Sequence, residues 1–346
     1  ADDGAQHKLR QVHPIELGVS GGNAYDISSL YCCAGTLGAL VQSSTTQFIL
    51  SNNHVLARTN KAGAGEPIIH PGLIDQIPAC SANTTTDGVA DLTAFVPISF
   101  KKGTTNKVDA AIAQVRTGAV NSDGCIVDVG AVTGTAVPAL NMLVEKSGRT
   151  TGHTTGSVAA VNVTVDVAYY KVCGVGRQVA RFVDQFRVGS TTTAFSAGGD
   201  SGSLILKQDT NQALGLLFAG SSTSTFANKI GNVLTPLGVT LVTRQPGFPC
   251  PSPEFVAGGK SSAGGAPSVN EHLLQAVTRV KEKHEEMLFA IPEVAGTGVG
   301  IADPVYGGLL IEVYVRKLTP AVERAIPRLL DGVPVRVIET GDIVAY

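Results

Sequence analysis

The sequence predicts a mainly β chain with a small α/β unit at its C-terminal end. Three observations carry that expectation. Of 346 residues 40 are Gly, against two Met and no Trp, so Gly-rich turns alternate with short β-branched runs. No helical periodicity falls between those runs, which favours a barrel or sandwich over alternating strand–helix units. After about residue 245 the pattern changes to helix-length amphipathic spacing.

From about Leu17 to Val242, strands are expected at Gly38–Val41, Phe48–Ser51, Ala110–Val115, Ser157–Val167, Val179–Val188, Leu204–Leu206 and Leu214–Ala219. Pro246, Pro249, Pro251 and Pro253, then Gly258–Gly259 and Gly264–Gly265, read as an extended, flexible linker over 246–268. Beyond it Leu273, Val277, Val280, His284 and Met287–Leu288 form the apolar face of a helix over Val269–Leu288. Ser268 and Glu271 have the spacing of a capping box at its start. Val294–Ile301 and Leu309–Val315 pattern as a strand pair, Pro320–Leu330 as a second helix begun at Thr319, and Val333–Glu339 as a last strand. The expected division is 1–245, 246–268 and 269–346, the last an α-β-β-α-β domain.

Composition narrows the function classes. A net charge of −2 with 16% charged residues lacks the basic stripe that a nucleic-acid partner calls for. With 43% apolar residues the chain can build a sizeable core, and no apolar run approaches the roughly 20 residues of a membrane helix. Six cysteines allow up to three disulfides in fifteen pairings, and without a C-x-x-C pair no zinc site is expected. The even cysteine count and few lysines lean toward secretion, though buried free thiols would look alike and the compartment stays open. The given sequence opens at Ala1 without a Met or a signal-like stretch, as a processed or trimmed chain would.

Three segments carry chemistry. His54 follows an apolar strand in Leu50–Leu56, Asp109 opens one in Lys107–Ile112, and Ser201 lies in the Gly-rich turn Gly198–Ser203. A serine hydroxyl is a poor nucleophile and needs an imidazole to take its proton. That imidazole in turn needs a buried carboxylate to hold its tautomer and stabilise its charged form. The chain order His, Asp, Ser is one of the known orders of this triad. Glycines around Ser201 allow a tight turn, so the backbone N–H groups of Gly199 and Ser201 are the candidate oxyanion donors. His70 reads as a turn position, His153 as exposed, and His272 and His284 as solvated or packed positions on the helix. Gly296–Gly300 is Gly-spaced but lies inside an expected strand, not the strand-to-helix turn of a dinucleotide site.

These segments resemble the chymotrypsin-like (trypsin-like) serine proteases, most of all the bacterial branch of streptogrisins and α-lytic protease. Lys146–Val158 is similar to that branch's Arg-Ser-Gly, Thr-Thr-Gly, Gly-Ser-Val stretch, and Ala213–Val242 follows its strand and turn order. The resemblance implies two six-stranded β-barrels with the active site between them, and a serine endopeptidase acting on proteins or peptides without metal or cofactor. It implies a support role for Asp200, paired with Lys146 or alternatively Arg149. It puts the substrate walls at Phe195, Ser196 and Ala197, at Leu217, Phe218, Ala219 and Gly220, and at Thr225–Asn228. No wall offers an acidic residue or a His, so a neutral, apolar preference is expected. Phe218 stands where relatives carry the Ser that supports the triad Asp, and no Cys follows His54. The alternative reading is a catalytically silent binding protein on the same scaffold, or a protease held inactive by its small domain.

Ile291–Gly300 and Leu330–Val335 resemble a small domain that precedes the protease in bacterial trypsin-like proteins. Its C-terminal place here has the look of a circular permutation, which predicts that Ala1 and Tyr346 lie near each other. The unit's element order also resembles protease pro-domains, which assist folding or block the cleft through an intramolecular contact with the protease domain, but a passive docking or oligomerisation module is the preferred reading.

Overall fold

The computed structural model describes residues 4–29, 31–190, 194–251, 271–303 and 307–345. Two sheets dominate it. The first has eight strands in the order Thr240–Leu241, Ala39–Ser43, Thr46–Ser51, Ala111–Val115, Gly88–Phe95, Pro67–Ile69, Val19–Asn23, Gly35–Leu37. It curls around Leu40, Ile49, Ile68, Ala90, Leu92 and Ala113, which alternation along the strands turns to one side. Among the described residues its two end strands are not paired to each other.

The second sheet contains a closed ring. Leu143–Gly148, Gly152–Val172, Val175–Gly189, Thr225–Lys229, Gln212–Gly220 and Leu204–Lys207 pair in succession, and the last returns to the first. Val144, Val158, Phe186, Ile205 and Leu217 belong to one apolar cluster within it. The molecule is therefore mainly β with a chymotrypsin-like pairing of a curled sheet and a ringed one. Of the two implied barrels, only the second closes by hydrogen bonds among the described residues.

The expected strands at 157–167 and 179–188 are parts of a hairpin 21 and 15 residues long. Its outer length reaches beyond the ring and is paired by the C-terminal region. Val294–Asp303 lies antiparallel to it from Ala160 opposite Gly300 to Val165 opposite Gly296. Gly307–Val315 follows antiparallel and Val333–Glu339 parallel, and the helix Glu271–Phe289 covers them with Val277 and Leu288 buried. The second helix is shorter than expected: it spans Pro320–Ala325, with Thr319 Oγ1 accepting from Val322 N–H at 3.3 Å. Pro327 ends it, since the residue before a proline is disfavoured in the helical region, and Ile326 is extended at φ −89°. Leu329–Leu330 is a short strand instead. A strand at Val344–Ala345, absent from the sequence expectation, pairs with Gln212–Gly220 and with Ala168.

All six cysteines are paired, Cys32–Cys80, Cys33–Cys173 and Cys125–Cys250. Cys33–Cys173 ties a loop before the first sheet's Gly35–Leu37 to the tip of the long hairpin. Ser268, most of the 246–268 stretch, the Ala1–Tyr346 proximity and the His272 side chain lie outside the described residues.

Candidate active site

His54 and Asp109 meet because their strands are neighbours. Thr46–Ser51 pairs with Ala111–Val115, Ser51 opposite Ala111, so the end of one strand lies beside the start of the other. After Ser51 the chain turns into the one-turn helix Asn53–Leu56, which carries His54. The turn is fixed by side-chain amides: Asn52 Nδ2 donates to Asp109 O at 2.7 Å and Asn53 Nδ2 to Val96 O at 2.8 Å. His54 Nδ1 lies 2.5 Å from Asp109 Oδ2, and His54 N–H donates to Oδ1 at 3.2 Å.

Asp109 is fully buried, and a buried carboxylate needs several donors to offset its lost hydration. A further donor is Tyr169, whose hydroxyl reaches Oδ2 at 2.9 Å from the long hairpin. Burial, then the Asp109 charge, pushes the Tyr169 hydroxyl well above its ordinary 10, so it stays a neutral donor. Its ring meets that of His54 edge-on at 5.8 Å. Asp109 N–H donates to Asn228 Oδ1 at 2.9 Å, and Asn228 Nδ2 to Gln185 Oε1 at 2.6 Å. Tyr169 is not singled out by the sequence, and Asn228 is expected only as the end of a substrate wall, not as a partner of Asp109. The available signal was alternation: Val163, Val165, Val167 and Tyr169 share the buried face, and a buried tyrosine hydroxyl usually finds a partner.

Ser201 sits at the junction of the two sheets. Ser201 O accepts from Thr36 N–H at 2.8 Å on the first sheet, while Gly202 N–H donates to Leu217 O at 2.9 Å on the second. Gly199 and Gly202 have φ of +100° and +96°, and a Cβ on Gly202 would run into Thr36 O and Ser51 Oγ, so this turn requires glycine. Ser201 Oγ donates to Phe218 O at 3.1 Å. Among the hydrogen bonds of the described residues, the N–H groups of Gly199 and Ser201 have no acceptor.

Asp200 is buried beneath this turn. It accepts from Ala197 N–H at 2.9 Å, Thr150 N–H at 2.8 Å and Thr151 Oγ1 at 2.8 Å. Lys146 Nζ, equally buried, lies 3.8 Å from Asp200 Oδ2 and donates to Gly152 O at 2.8 Å. Arg149, the alternative partner, instead makes a two-pronged pair with Asp75 at 2.6 and 2.7 Å.

Of the expected walls, Phe195 is buried, and Ser196 Oγ lies 2.6 Å from Thr225 Oγ1. Ala197 is half-buried. Phe218 turns its ring into the core against Phe182 at 4.7 Å and offers the site its carbonyl. Ala219 and Gly220 are paired with Ala345 and Val344. Near His54, burial pushes the Asp26 carboxyl up to about 6 against the pull of His54, Arg58 and Lys61. His70 and His153 are more buried than expected, while His284 lies half-buried on its helix as expected. His70 is buried, with Nδ1 2.7 Å from Ser20 O and Nε2 accepting from Gln11 N–H, and burial lowers it to about 4. His153 is half-buried, 2.7 Å from Glu145, and His284 lies 3.2 Å from Asp331. Among the described residues no group of three or more acidic, His or Cys side chains is arranged to hold a metal ion.

No family model matches the chain, and no curated protein matches it. Solved structures do. A glutamic acid specific serine protease shares 22% identity, over 66% of this chain and 100% of that one, at a TM-score of 0.45. Protease A of Thermobifida fusca shares 18%, over 65% and 98%, at 0.41, and an α-lytic protease homologue 17%, over 65% and 98%, at 0.42. The chymotrypsin-like character of the fold rests on its own pairing of a curled sheet with a ringed one.

Proposed function

We propose that the chain is a serine endopeptidase that hydrolyses peptide bonds through an acyl-enzyme. The observation that carries this reading is the fully buried Asp109 holding His54 Nδ1 at 2.5 Å, together with Ser201 in a turn that requires glycine on its C-terminal side. With Nδ1 donating to Asp109, the basic lone pair of His54 is on Nε2. It takes the Ser201 hydroxyl proton as Oγ bonds to the substrate carbonyl carbon, and the carbonyl oxygen becomes an oxyanion. Gly199 and Ser201 N–H groups, without acceptors among the described residues, suit that charge. His54 then gives its proton to the leaving amine, the C–N bond breaks, and water repeats the sequence to free the acid.

Asp200 and Lys146 act as supports of the turn, and residues 1–245 carry the reaction, with 269–346 as the accessory domain. Uncharged side chains at Ser196, Ala197, Ala219 and Thr225 support a neutral, apolar preference for protein or peptide substrates. Three disulfides support an oxidising compartment. A fluorophosphonate probe tests the reading: the chain is expected to be labelled and Ser201→Ala not. Unlabelled protein would leave a binding scaffold.

A further inference from the structure

The strand edge beside Ser201 is taken by residues 344–345 of this same chain. Val344–Ala345 lies antiparallel to Gln212–Gly220, Val344 opposite Gly220 and Ala345 opposite Ala219. The next position along that strand is Phe218, whose carbonyl receives the Ser201 hydroxyl. The terminal segment therefore runs toward Ser201 in its N-to-C direction. A peptide laid along it advances about 3.3 Å per residue toward the nucleophile. This polarity presents a carbonyl carbon, following the strand, for attack.

The segment is held from two further sides. Val344 pairs in parallel with Ala168, and Ala168 N–H donates to Ile343 O at 2.9 Å. Ile343 is buried in the cluster of Tyr169, Phe182, Phe218 and Ala219, with Ala345 packed against it. Asp342 pairs with Arg177 of the hairpin at 2.9 Å. Tyr169 of that cluster is the donor to Asp109, so the strand docks on the residue that supports the candidate triad.

We propose that Val344–Ala345 is an intramolecular, substrate-like occupant of the peptide-binding strand, and that it masks Ser201 until displaced. This rests on the reading of Ser201 as nucleophile. The peptides the site takes in its place are extended, with a β-branched residue opposite Gly220 and a small one opposite Ala219. Main-chain pairing supplies affinity and the alternate side chains supply selection. A tethered occupant acts at an effective concentration in the millimolar range, so an intrinsic affinity near ~0.1 mM slows access about tenfold.

The test uses the full chain, a form lacking residues 344–346, and Val344→Pro, which removes a strand N–H. Fluorophosphonate labelling is timed in each, with Ser201→Ala as blank. Labelling is expected to be about tenfold faster in the shortened and Val344→Pro forms. A free peptide of residues 339–346 should slow the shortened form saturably, and a scrambled one should not. Equal rates in all three forms would overturn the inference and leave the hydrolase reading standing. Absence of labelling in every form would overturn both. Circular dichroism identifies a shortened form that fails to fold, and Val344→Pro then decides.

Discussion

Tyr169 links the long hairpin to the candidate catalytic carboxylate through one 2.9 Å hydrogen bond. Hydrogen bonds to charged groups are worth about 1.5–3 kcal/mol, so Tyr169→Phe is expected to lower kcat about tenfold or more. Steady-state kinetics on a peptide substrate measures this, and an unchanged kcat would mean that Asp109 needs only His54 and its backbone. Glu16 is a residue of another kind, 4% exposed, and burial pushes it from the ordinary 4.5 to about 7 despite the Asn121 hydrogen bond. A raised carboxyl pKa means that the folded state binds the proton more tightly than the unfolded one. Its contribution is complete below pH 4.5 and is lost as pH rises through 7. Glu16→Gln should therefore match the parent at pH 4 and melt about 2–4 °C higher at pH 8. Thermal denaturation at the two pH values reads the difference.

At the level of elements, the long hairpin joins both sheets and the C-terminal region. Cys33–Cys173 closes a loop with a sequence separation of 140 and pins the hairpin tip to the first sheet. Replacing both cysteines by Ser is expected to cost about 2–4 kcal/mol, read by denaturant unfolding, and to loosen Tyr169 as well. How far each element was legible follows from what determines it. The ring strands at 204–207 and 212–220 are apolar runs bounded by turn residues, and the sequence marks them directly. His54, Asp109 and Ser201 stand out because polar residues at the ends of such runs have no packing role there. The hairpin's tip is not marked as strand by the sequence, because Lys171, Val172, Val175, Gly176 and Arg177 are all exposed there and no buried face shows in their pattern. Val344–Ala345 has no periodicity to read; its partners alone make it a strand. The second helix was overrun because apolar spacing continues past Ile326 while Pro327 forbids helix there.

At the level of the whole molecule, the C-terminal region is attached by strand pairing and by a buried charge network. Arg187 of the hairpin meets Glu312 at 2.8 and 3.1 Å, and Tyr314 donates to the same carboxylate at 2.9 Å. Removing one member leaves an unpaired buried charge, so Glu312→Ala is expected to destabilise the full chain by about 3–5 kcal/mol in denaturant unfolding. A change below 1 kcal/mol would mean that water reaches Arg187. The disulfides give the same architecture an asymmetry. Every cysteine lies at or before Cys250, so each bridge closes within the part that carries Ser201 and none reaches residues 271–345. Hydrolysis of a single bond between Pro251 and Glu271 would turn an internal segment into a separate ligand. From then on its hold would obey mass action: dilution alone would release it, and no reducing agent would be needed.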